Sequence, residues 1–185
     1  HEFVHAWCGK YLRPAGMNTP DYQTDKNTDL LWVYEGLTTY LGSVLKVRAG
    51  FTDIPTFLDE QANRWGRSYD QKGRKWRSLR DTQVSAYTLR KNSASWTNLR
   101  RDQDYYSEGA MIWLDFDSRI REATDGRKSL DDFCMNFFGR GDPTAHAISF
   151  DLEDVISALS KLTDKEPWAE LIDRKINQTE DEFNP

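Results

Sequence analysis

Two histidines four residues apart open the chain, in His1-Glu2-Phe3-Val4-His5, and no other feature constrains the fold as much. Residues i and i+4 share a helical face one turn apart, so both imidazoles reach one metal ion only if this segment winds helically. Neutral imidazole suits zinc, and Glu2, beside the pair, can stay off the metal and serve as general base toward a water molecule. A solvated helix face carrying two histidines is the plain alternative, and the five-residue pattern alone does not choose between them.

A catalytic zinc site takes three protein ligands and keeps one position open. The third candidate is Glu35, within Leu30-Leu31-Trp32-Val33-Tyr34-Glu35-Gly36-Leu37-Thr38-Thr39-Tyr40. Apolar residues recur there at helical spacing, through Leu31, Val33 or Tyr34, Leu37, Leu41, Val44 and Leu45. A carboxylate on such a helix is costly to bury unless it is paired or metal-bound. A core salt bridge to an arginine is one outcome; a metal ligand is the other and the expected one. Gly36, next to it, costs about 1 kcal/mol relative to alanine in a helix, which predicts a close approach by another helix or by substrate.

The remaining pattern is helical throughout. Residues 1–9 read as the last turns of a helix ended by Gly9, and Asn18–Asp29 as a polar surface connection. Asp29 is the expected N-cap of a helix to about Arg48, closed by Gly50. Further helices are expected over Ile54–Gly66, Ser78–Leu89, Asp104–Thr124, Ser129–Phe138, Ser149–Leu162 and Lys165–Ile176, with Asn92–Gln103 irregular. No period-two alternation persists beyond four or five residues. The expected class is all-α: one domain, with ligand-bearing helices in 1–50 and a C-terminal helical subdomain in 51–185.

The formal charge is −5 with 30% charged residues. Trp65, Tyr69 and Trp76 alternate with basic residues over Arg64–Arg80, a pattern that could stack nucleic-acid bases. The acidic total favours a solvated loop with structural aromatics, so no nucleic-acid partner is expected. Cys8 and Cys134 lack zinc-ribbon or C-x-x-C spacing and read as small buried thiols. Cys8 is three residues past His5, yet sulfur ligation there would fill the open position. No run of about 18 apolar residues predicts a membrane span.

His-Glu-Phe-Val-His, followed by Trp32-Val33-Tyr34-Glu35-Gly36-Leu37-Thr38-Thr39-Tyr40, resembles the gluzincin metallopeptidases. Among them it is most similar to the glycyl aminopeptidase family, relatives of aminopeptidase N. Arg13-Pro14, Val47-Arg48-Ala49-Gly50, Tyr105-Tyr106-Ser107-Glu108-Gly109-Ala110, Leu114-Asp115, Arg119-Ile120-Arg121 and Ser129-Leu130-Asp131-Asp132 extend the resemblance over nearly the whole chain. It implies one zinc ion on His1, His5 and Glu35, and a peptide substrate with N-terminal glycine or alanine. It also implies Glu2 as base and Tyr106 as donor to the oxyanion. Tyr105, about 100° away around a helix, is the alternative donor. Glu108 stands where relatives carry lysine and would add negative charge. Thr39 stands where some gluzincins place an aspartate behind a ligand histidine, and His146 is expected to be non-catalytic.

The family pattern further implies an upstream β-rich domain and a downstream PDZ-like domain. These 185 residues then read as a fragment that folds but holds zinc poorly and lacks activity alone. The parent is expected to be bacterial, cytoplasmic or exported. Two other readings stay open: a non-catalytic helical module, and copper chelation by His1 through its own amine and imidazole.

Overall fold

The computed structural model describes residues 1–89, 97–141 and 147–179. Helices dominate, as the pattern predicts. They are α1 (Thr38–Arg48), α2 (Ile54–Tyr69), α3 (Leu79–Val84), α4 (Ala86–Leu89), α5 (Thr97–Arg100), α6 (Asp104–Ala123), α7 (Leu130–Phe138), α8 (Leu152–Ser160) and α9 (Trp168–Asn177). The fold class is all-α. Among the described residues no helix is long and apolar enough to cross a membrane.

Local chemistry sets most boundaries where the sequence places them. Asp53 caps α2 through the Thr56 amide, with Pro55 in the first turn. Ser129 with Asp132, and Asp151 with Asp154, form reciprocal capping boxes at α7 and α8. The α2 helix runs past Gly66 to Tyr69, and Gly66 does not take the positive φ with which a glycine ends a helix. The segment expected as one helix over Ser78–Leu89 breaks at Ser85, whose backbone is not helical.

Two departures bear on the site. Trp32–Leu37 is a π-helix that runs directly into α1. Asp29 does not cap it: the Trp32 N–H instead donates 2.7 Å to Oε1 of the buried Gln83. Gln83 arrives from α3, a long-range cap that no local signal could announce. The chain start is also looser than a regular helix, with a 3₁₀ turn over Val4–Ala6. His5 and Cys8 amides still bond four residues back, to His1 and Val4 carbonyls.

The core is a relay of buried rings. Trp32 stacks on Trp113 at 5.3 Å, and Trp113 meets Phe116 and Phe133. Phe116 continues to Trp168 on α9, and Phe133 to Phe137, which in turn meets Phe150. Such pairs add about 0.5–1.5 kcal/mol each beyond the area they bury. Two three-residue strands, β1 (Leu12–Pro14) and β2 (Ile148–Phe150), pair in parallel, Leu12 with Ile148 and Pro14 with Phe150. With the Tyr11 hydroxyl donating to the Arg140 carbonyl, they tie the histidine segment to the far end of the chain.

Candidate metal centre

The π-segment and α6 cross backbone to backbone. A Cβ built on Gly36 would lie 2.7 Å from Gly109 Cα, and one on Gly109 would lie 2.9 Å from Gly36 Cα. This is the close approach that a glycine beside Glu35 predicts. A second glycine seats the histidine segment on α1: a Cβ at Gly42 would meet the His1 backbone at 2.8–3.1 Å.

These contacts bring His1, His5 and Glu35 together. His5 Nε2 is 3.1 Å from His1 Nε2, and Glu35 Oε2 is 3.2 Å from His1 Nε2 and 3.3 Å from His5 Nε2. The three atoms form a nearly equilateral triangle. Ligand atoms at tetrahedral angles, about 2.0–2.1 Å from one ion, would be spaced by about 3.3 Å. Glu35 is buried, and beyond the two imidazoles its Oε2 has no polar partner. A buried carboxylate without a compensating charge is expensive, and a cation above the triangle would satisfy Oε2 and both imidazoles at once.

The outer contacts point the rings inward. His5 Nδ1 is 2.8 Å from the Cys8 carbonyl, which only accepts, so Nδ1 carries the proton and Nε2 faces Glu35. His1 Nδ1 is 3.3 Å from Thr39 Oγ1; a hydroxyl takes the outer place without a charge. Burial alone would lower the His5 pKa. The Glu35 and Cys8 hydrogen bonds and the charges of Glu35 and Glu2 outweigh it and raise the pKa.

Tyr106 packs beside His1, ring centroids 5.8 Å apart, whereas Tyr105 is buried in the core. Glu2 is exposed, and its charge is felt at His5. Glu108 does not add an uncompensated charge: it is buried against Arg101, with Arg74 3.6 Å away. Burial raises its pKa, with Arg101 and Arg74 opposing. Cys8 Sγ lies 3.7 Å from the Val33 and Tyr34 carbonyls, outside the His–His–Glu cluster. Cys134 is also a free thiol. His146 lies outside the described residues. Tyr34, which the sequence pattern marks only as an apolar position, covers the His5 ring at 4.8 Å.

Fold and cluster together define a helical domain with a candidate three-ligand metal centre at the meeting of its first two segments. The profile of the M61 glycyl aminopeptidase family matches residues 1–112. The chain belongs to that peptidase family. In three dimensions it is similar to the crystal structure of an aminopeptidase N family protein from Idiomarina loihiensis, with a TM-score of 0.83 at 22% identity. The match covers 97% of this chain and 30% of that one, so the chain spans under a third of the length of that structure. The search of curated proteins returned no match.

Proposed function

We propose that residues 1–185 form the helical half of the catalytic domain of a zinc aminopeptidase, with ligand-bearing segments in 1–50 and the helical subdomain in 51–185. Family membership supports a peptidase. The observation that carries the metal is the triangle of His1 Nε2, His5 Nε2 and Glu35 Oε2, spaced 3.1–3.3 Å, whose buried carboxylate oxygen has no polar partner besides the two imidazoles. Zinc, when bound, acidifies a water molecule and polarises a carbonyl.

His1, His5 and Glu35 hold the ion. Glu2, exposed between the two histidines, takes the proton from the attacking water and delivers it to the leaving amine. Tyr106, beside His1, donates a hydrogen bond from its hydroxyl to the carbonyl oxygen as that oxygen gains negative charge. The substrate class is a peptide with a free N-terminus: glycine first, as the family description suggests, with alanine, the next smallest residue, also accepted.

The test is metal content and turnover in the whole protein. One zinc per chain by plasma emission is expected, with hydrolysis of glycyl and alanyl nitroanilides that a chelator stops and zinc restores. Full hydrolysis by a protein stripped of metal would overturn the reading.

A further inference from the structure

Tyr34 precedes Glu35 on the π-helix. Its ring lies over the His5 imidazole, centroids 4.8 Å apart and planes inclined by 35°. The hydroxyl end of the ring is seated on Gly9. A Cβ there would lie 2.8 Å from Tyr34 Cε2 and Oη, and Gly9 holds a φ of +135° that L side chains rarely adopt. The backbone of Tyr34 is anchored too, its carbonyl accepting a 2.6 Å hydrogen bond from Thr38 Oγ1.

His5 is therefore held twice. The Cys8 carbonyl fixes its edge through Nδ1 at 2.8 Å. One hydrogen bond still leaves a ring free to rock about the bond axis, and a face contact removes that freedom. The turn that supplies the carbonyl, Cys8-Gly9, also supplies the seat for the covering ring. Glu35 follows Tyr34 in the same π-segment, so a metal ligand and the ring that steadies another ligand are carried together.

We infer that Tyr34 is a positioning residue for the metal centre: seated on Gly9, its ring holds the His5 imidazole with Nε2 directed at Glu35 Oε2. Ligands held in place before binding lose less freedom when the ion arrives. The inference rests on the zinc reading and adds a determinant of affinity to it.

The experiment measures zinc affinity by chelator competition in the whole protein, with the visible spectrum of the cobalt-substituted form as a second readout. Tyr34→Phe keeps the ring and should bind zinc as the wild type does. Tyr34→Leu fills much of the volume without a ring, and Gly9→Ala displaces an intact Tyr34. Both should weaken zinc about 10–100-fold, the range for outer-shell losses, and alter the cobalt spectrum. A Tyr34→Leu protein with lowered Tm but unchanged affinity and spectrum would overturn the inference and leave Tyr34 a packing residue. So would Tyr34→Phe binding as weakly as Tyr34→Leu, since the hydroxyl would then matter instead of the ring. Wild-type protein that binds neither metal brings down the zinc reading itself and this inference with it, an outcome distinct from both.

Discussion

Gly36 and Gly109 touch through their backbones, each occupying the space where the other's Cβ would stand. The contact sets the distance between the segment carrying Glu35 and the helix carrying Tyr106. Gly36→Ala should gain about 1 kcal/mol of helix propensity but force two backbones apart, an overpacking cost of about 1–3 kcal/mol. Because backbone cannot rotate away as a side chain can, the cost should prevail. Urea unfolding should show net destabilisation, and zinc binding should weaken as Glu35 moves.

Removing Glu35, the proposed third ligand, should separate metal binding from folding. Glu35→Ala should strip zinc from the whole protein yet leave the helical circular-dichroism spectrum intact, since the ring relay from Trp32 to Trp168 does not use Glu35. Stoichiometric zinc in that variant would mean the ion is held elsewhere.

Binding and chemistry should separate at Glu2 and Tyr106. Glu2→Gln keeps the shape but cannot take the proton, so zinc should remain and turnover should be lost. Tyr106→Phe should lower kcat about 10²–10³-fold at nearly constant KM, the size of one oxyanion donor. A wild-type rate for Tyr106→Phe with a dead Tyr105→Phe would move the role to Tyr105.

Gln83→Leu tests the long-range cap. The Trp32 amide would lose its acceptor inside the core, at a cost of about 1–3 kcal/mol. Chemical denaturation should report a lower midpoint with an unchanged slope. A midpoint equal to wild type would show that the amide finds another acceptor.

The two thiols should be slow to react. Burial pushes both Cys8 and Cys134 up to about 12 from an ordinary value of 9.0. At pH 8 the thiolate fraction is then about a thousandfold below that of a free cysteine. Native protein should resist iodoacetamide, labelling faster as pH rises toward 12, whereas guanidinium-unfolded protein should label at both sites. Rapid labelling of native Cys8 would contradict its burial.

Some of this was readable before any coordinates. Apolar spacing near 3.6 residues, capping residues such as Ser129, and terminating glycines act within one or two turns. The sequence therefore determined the helical class and most boundaries. It also nominated His1, His5 and Glu35, because two of them are i and i+4 and the third is a carboxylate stranded in an apolar run. What only the tertiary structure decided depends on residues far apart in the chain. The π-helical register over Trp32–Leu37 goes with a cap from Gln83 and a backbone crossing at Gly109. The ion pairing that absorbs Glu108 needs Arg101, and the ring over His5 needs both Tyr34 and the left-handed turn at Gly9. Local propensity cannot encode these, because each exists only once packing has brought distant segments within a few ångströms of one another.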